Sequence, residues 1–204
     1  IQKMLDPEHE AIALANPISS EMGVMRTSLW PGLLQAAAYN LNRQQSRIRI
    51  FESGLKFISQ GNEIKQNNVI AGLIAGPVNS EQWAIPSRKC DFYDIKGCVE
   101  ALIRALKIDK ARFTTLPDES CEYTRPGHTA QILIAGRQVG IVGEVHPLVQ
   151  DNFDLKQTAF IFEKLGRPDL TQYWSRKIVN DVFSGLKPST GYNGDEDQGL
   201  MGSL

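Results

Sequence analysis

The sequence has no Cys-x-x-Cys pair, and its three cysteines, Cys90, Cys98 and Cys121, are an odd number at unrelated spacings. A disulfide framework therefore has no basis, and reduced thiols are expected. Histidine is scarce, and adding His128 and His146 to the thiols still gives no two close ligand pairs at structural-zinc spacing. A Cys121–His128 nucleophile lacks any base-orienting partner that the sequence marks, and Cys98 reads as a small apolar residue inside a helix. Excess charge of one sign is missing too. With 22 Lys and Arg against 23 Asp and Glu, the formal charge is −1, so any contact with nucleic acid or an anionic membrane has to be a local patch. The longest near-continuous apolar run, Val69 to Gly76, falls far short of the roughly 20 residues that span a bilayer, and no signal segment opens the chain. A cytoplasmic protein with no membrane partner is expected. There is no initiating Met, so the chain, opening on Ile1, reads as a fragment entered by a strand from a missing upstream part, although a mutated or processed start would look the same.

What is present is ordinary for a globular protein, 42% hydrophobic and 22% charged over 204 residues, enough for one fair-sized domain or a domain plus an appendage. The stretch Asn16 to Phe57 organises it. A polar turn runs into a helix starting near Leu29, with Ser28 as hydroxyl cap and Pro31 in the first turn, where a missing N–H costs nothing. Leu29, Leu33, Leu34, Ala37 and Leu41 make one apolar face, and Asn40, Asn42 and Arg43 turn to solvent. At Ile48, Ile50, Phe57 and Ile58 the period switches to two, which predicts a strand packed on that helix.

Gly61-Asn62 then marks a turn, and Val69–Ala75 is apolar on both faces, as an interior strand would be, closed by Gly76-Pro77. Asp91 is a candidate N-cap, with Asp94 in the first turn, for a helix whose buried positions are Ile95, Val99, Leu102, Ile103 and Leu106. Ala130 to Ala135, a Gly136-Arg137 turn and Gln138 to Val145 predict a hairpin; Pro147 opens a short helix and Thr158 to Glu163 supplies another strand. Together these predict an α+β fold with a largely antiparallel sheet flanked by helices.

Six blocks in order, N-P-I-S-S-E-M-G-V-M-R-T-S-L-W-P-G-L-L at Asn16 to Leu34, Asn42-Arg43, F-E-S-G at Phe51 to Gly54, D-F-Y-D-I-K-G at Asp91 to Gly97, Y-T-R-P-G-H-T-A at Tyr123 to Ala130 and G-E-V-H-P at Gly143 to Pro147, closely resemble the bacterial phenylalanyl-tRNA synthetase beta subunit. The resemblance covers about residues 1–163 and implies its catalytic-like module, a class II synthetase-like core without an active site. It implies pairing with the catalytic alpha subunit in a heterotetramer of two alpha and two beta subunits, which attaches phenylalanine to tRNA. ATP and magnesium would be held by the alpha subunit or by missing parts, and no cofactor by this chain.

The residues agree with a lost site. A working class II core needs an arginine in an f-R-x-E strand and another in a glycine-rich g-x-g-x-x-R stretch, because a planar guanidinium grips phosphate bidentately. Arg49 and Glu52 have the wrong spacing and fall on opposite faces of a strand, while G-I-V-G-E-V-H-P has no arginine. Class II cores dimerise through the corresponding early helix and strand, which points to Arg26, Leu29 and Trp30 as candidate interface anchors. Two alternatives stay open: Arg26 bonded to local carbonyls, and Trp30 capping the chain's own core. Arg43, Arg47 and Arg49, in a stretch free of acids, are candidate tRNA-phosphate contacts or a solvated basic face. Arg125, His128, Glu144 and His146 read as a hydrogen-bonded structural network.

After Glu163 the pattern breaks, which divides the chain into a core at 1–163 and a tail at 164–204. Asp169 can cap a helix with Leu170, Trp174, Ile178 and Val182 on one face, followed by a glycine-rich acidic stretch. That stretch faintly resembles a loop of helical-barrel glycoside hydrolases, so one reading makes the tail foreign to the core, joined near Lys164 to Asp169. Asp195, Glu196 and Asp197 are the acid or base candidates of that remote alternative, against the plain reading of a solvated acidic loop.

Overall fold

The computed structural model describes Leu5 and residues 9–19, 23–61, 63–83, 86–108, 110–117, 123–165 and 187–188. The helix and acidic stretch expected beyond residue 165, including Asp195, Glu196 and Asp197, lie outside the described residues, as does Cys121.

Among the described residues, the helices α1 (Trp30–Leu41), α2 (Phe92–Ala105) and α3 (Pro147–Asn152) accompany the strands β1 (Ile48–Gln60), β2 (Glu63–Ala75), β3 (Ala111–Thr115), β4 (Thr124–Ile134), β5 (Arg137–Val145), β6 (Ala159–Leu165) and β7 (Lys187–Pro188). They form one sheet in the order β3-β4-β5-β6-β2-β1-β7. Neighbours are antiparallel except the two-residue pairing of β7 with β1. The expected α+β architecture with a largely antiparallel sheet is therefore present.

Strand alternation divides the core in two. Val69, Ala71, Leu73 and Ala75 of β2 face a cluster with Leu33, Leu34 and Ala37 of α1 and Val149 of α3. Ile70 and Ile74 face the opposite cluster, with Ile95, Val99, Leu102 and Ile103 of α2. This is why β2 is apolar on both faces. Gly72 sits between Ile70 and Ile74 because a Cβ there would approach Phe162 Cε1 to 2.5 Å. At the strand's end Gly76 turns with φ +82°, where a Cβ would meet the Ser46 carbonyl oxygen at 1.9 Å.

Helix α2 forms as its pattern predicts. The Asp91 carboxylate accepts from the Tyr93 and Asp94 N–H groups, and the Asp94 carboxylate accepts from the Asp91 N–H, a reciprocal capping box. Its four buried side chains contribute roughly 6 to 12 kcal/mol gross at about 1.5–3 kcal/mol each. Two sequence expectations need correcting. The β4–β5 turn is Ala135-Gly136, with φ +49° and +76°, not Gly136-Arg137, since a two-residue hairpin of this hand needs positive φ at both central positions. Strand β3 was not anticipated: in five residues only Ala111 and Phe113 are even half-buried, too little for a period-two signal.

Candidate subunit interface at the entrance to the first helix

The chain reaches α1 through a short antiparallel loop. Leu14 N–H donates to the Gly23 carbonyl at 2.9 Å and Met25 N–H to the Ile12 carbonyl at 2.8 Å, around an Ala13–Val24 bridge. This loop leaves Leu14, Ile18 and Val24 exposed at 40%, 96% and 44%. Its far end is fastened to β1: Phe57 N–H donates to the Arg26 carbonyl at 2.9 Å, Arg26 Nε to the Leu55 carbonyl at 2.8 Å, and the Arg26 guanidinium pairs with Glu52. Gly54 makes room for this, since a Cβ there would lie 2.2 Å from Arg26 Nη2.

The start of α1 is held by a carboxylate from the middle of the sheet. Ser28 Oγ donates to Glu163 Oε2 at 2.8 Å and accepts from the Trp30 N–H at 3.1 Å, while Leu29 N–H donates to the same Oε2 at 3.0 Å. Lys56 Nζ donates to Glu163 Oε1 at 3.1 Å. A negative charge at a helix N-terminus answers both the orphan N–H groups and the positive end of the helix dipole. Ser28 thus works one residue before the cap position Leu29, and Glu163 supplies the remaining acceptor.

This clamp fixes the angle at which the chain enters the helix and turns Leu29 and Trp30 inward, leaving them 1% and 2% exposed. Trp30 meets Tyr123 edge-to-face at 4.9 Å. Of the three anchors expected on the surface, Leu29 and Trp30 therefore belong to the chain's own core, and only Arg26 is exposed, bonded to a local carbonyl and to Glu52. Beneath the helix entrance lies a cavity of about 290 Å³, lined by Ser28, Trp30, Lys56, Tyr123, Gln138 and Glu163 among others, with no arginine among the described residues of its walls. Among the described residues Trp30 Nε1 has no hydrogen-bond partner.

The other sequence candidates are dispersed. Arg43 stacks on Tyr39, 3.6 Å from the ring centroid. Arg47 Nε and Arg49 Nη2 both donate to the Val78 carbonyl at 3.2 Å, and burial, then the charge of Arg49, lowers the pKa of Arg47. These two arginines therefore fasten the loop after β2. Arg49 sits on the α2 side of β1 and Glu52 on the α1 side, as their spacing requires. Arg125 Nη1 and His128 Nδ1 converge on the buried Glu144 at 2.9 and 3.0 Å, whereas His146 stands apart and accepts from the Leu148 N–H at the start of α3. Burial pushes the Cys90 thiol up to about 11 and raises that of Cys98, which keeps both protonated at neutral pH.

Sequence reasoning missed Lys56 and Glu163. The signal was present in the period: Glu163 shares its face with buried Ile161, and Lys56 shares its own with Ile48 and Ile50, so each is a charge at a core-facing strand position.

Two family descriptions match the chain, and they overlap over residues 135–164. Residues 1–164 match the family described as phenylalanyl tRNA synthetase beta chain CLM domain. Residues 135–204 match the glycosyl hydrolase family 92 catalytic domain, over less than half the chain. Proteins named phenylalanine–tRNA ligase beta subunit are similar: that of Colwellia psychrerythraea is 47% identical over 168 residues, covering 81% of this chain and 21% of the relative. That of Pseudoalteromonas translucida is 46% identical over 165 residues, with 79% and 20% covered, and that of Hahella chejuensis 42% over 167, with 80% and 20%. The chain thus spans about a fifth of the length of these relatives. A pyrrolysyl tRNA synthetase structure, Desulfitobacterium hafniense PylSc, superposes with a TM-score of 0.49 at 14% identity, covering 85% of this chain and 55% of that one. The chain belongs to the phenylalanyl-tRNA synthetase beta-chain CLM domain family.

Proposed function

We propose that this chain is a non-catalytic scaffold and interface domain, which docks a catalytic alpha subunit in the cytoplasm and supports it in the ATP-dependent attachment of phenylalanine to tRNA. The observation that carries the reading is the exposed apolar residues Leu14, Ile18 and Val24, beside a helix entrance hydrogen-bonded by Glu163 and Arg26. Exposed apolar residues grouped on one surface are what a stable subunit contact needs. The candidate interface moves from Leu29 and Trp30 to these exposed neighbours, with Arg26 at its rim. The non-catalytic reading rests on the spacing of Arg49 and Glu52, which stand on opposite sides of β1, and among the described residues of the cavity Lys56 and Glu163 are paired with each other. ATP and magnesium then belong to the alpha subunit or to parts of the beta subunit beyond this sequence. The test is to mix the purified chain with its cognate alpha subunit. A complex should form, and the chain alone should show no phenylalanine-dependent exchange of pyrophosphate into ATP. Exchange by the chain, surviving removal of trace host synthetase, would refute the non-catalytic reading.

A separate reading attaches to the C-terminal part of the chain. The match of residues 135–204 to a glycosyl hydrolase catalytic domain, which overlaps the beta-chain family match over residues 135–164, favours a hydrolase-derived C-terminal segment, with Asp195, Glu196 and Asp197 as its carboxylates. Release of the phenol from aryl glycosides, lost on Glu196→Gln, would establish it; no release in either protein would dismiss it.

A further inference from the structure

Across the sheet from the α1 entrance, a groove of about 630 Å³ runs between α2 and the outer strand β3, lined by Lys96, Glu100, Arg104, Lys110 and Arg112 among others. Glu100 is occupied by an ion pair with Lys96. Arg104, Lys110 and Arg112 are exposed and make no ion pair among the described residues. Lys107, in the turn between helix and strand, is likewise exposed and unpaired among them. In a chain of net charge −1 this is a local concentration of positive charge, with four cations here that no described carboxylate pairs. The groove continues into a second hollow of about 440 Å³ through the shared residues Lys96, Phe113 and Thr114, and there it gains Phe92 and Tyr93. Tyr93 is 76% exposed with its ring held edge-on against Phe92 at 5.7 Å, and Lys96 Nζ stands 4.8 Å over the Phe113 ring.

Unpaired cations leading to a fixed, exposed aromatic ring are the two elements by which proteins hold an unpaired nucleic-acid strand: phosphates follow the charges and a base stacks on the ring. An acidic peptide would use the cations and leave the rings idle, and a duplex has no free base for Tyr93. We propose that the groove between α2 and β3 binds single-stranded RNA, with Arg104, Lys110 and Arg112 on its phosphates and Tyr93 stacked on one base. This surface is independent of the scaffold reading, and it lies apart from Arg43, Arg47 and Arg49.

The test uses the full chain and a fluorescein-labelled, uridine-rich RNA of about 12 nucleotides, followed by anisotropy across a salt series. Three phosphate contacts predict a slope of log affinity on log salt of about −2, at about 0.7 per neutralised phosphate. Lys110→Ala with Arg112→Ala should weaken binding at least about 10-fold at low salt and bring the slope below about 1 in magnitude. Lys110→Arg with Arg112→Lys should restore both, which separates charge from misfolding. Tyr93→Ala should weaken the single strand and leave a duplex of the same length unaffected. Binding that ignores the double variant, or that is equal for the duplex or for poly-glutamate, would overturn the proposal.

Discussion

Removing the carboxylate of Glu163 should loosen the helix entrance more than any other single polar change in the core. Glu163→Ala deprives Ser28 and Leu29 of their acceptor and leaves Lys56 Nζ uncompensated, in a pair whose side chains are 15% and 11% exposed for Lys56 and Glu163. Breaking a fully buried pair from one side costs about 3–5 kcal/mol, and the residual solvent contact lowers this to about 3. Glu163→Gln keeps an acceptor for the Leu29 N–H and should cost about half as much. Lys56→Met should cost about 1 kcal/mol, because Ser28 and Leu29 still solvate the carboxylate. A cycle of Glu163→Ala and Lys56→Met should return a coupling of about 1–2 kcal/mol. Urea unfolding followed by far-UV circular dichroism measures all four, and an unchanged slope would place the effect in stability. A cost below about 1 kcal/mol for Glu163→Ala, or a coupling of zero, would refute the clamp.

The remaining predictions concern the core and the α2 cap. Trp30→Ala should lower stability by about 3–5 kcal/mol in the same assay, because the indole is 2% exposed against Tyr123; a cost under about 1 would return Trp30 to the surface. Burial works against the charge of Asp94, but the two-pronged hydrogen bond from Arg88, the Asp91 N–H and the charges of Arg88 and Arg49 hold it below the ordinary 3.8. A depressed folded value means stability that is full above pH of about 4–5 and lost as pH falls below 3.8. The stability gap between the native protein and Asp94→Asn should therefore close on acidification, and a gap constant with pH would show that the carboxylate is not responsible.

What was legible in the sequence had short range. The buried positions of α2 recur within one helix, and its cap needs only Asp91 and Asp94, three residues apart. The interior character of β2 shows as an unbroken apolar run. What failed depends on the sheet. Lys56 and Glu163 meet because β6, long after β1 in the chain, inserts beside β2, and no local pattern encodes that neighbour. Trp30 read as an anchor because its composition suits one, yet the direction of its side chain is set by Glu163 from far along the sequence. The exposed apolar loop was likewise hidden, since Leu14, Ile18 and Val24 have no periodicity to separate surface from core.

The most direct test of the scaffold account is the affinity of the full chain for its cognate alpha subunit, measured by sedimentation with and without Ile18→Asp. Ile18 is 96% exposed, so the substitution should leave the unfolding midpoint in place. The account predicts at least about 30-fold weaker association, about 2 kcal/mol for a charge buried in an apolar contact. Association as tight as that of the native chain, at an unchanged midpoint, would contradict it.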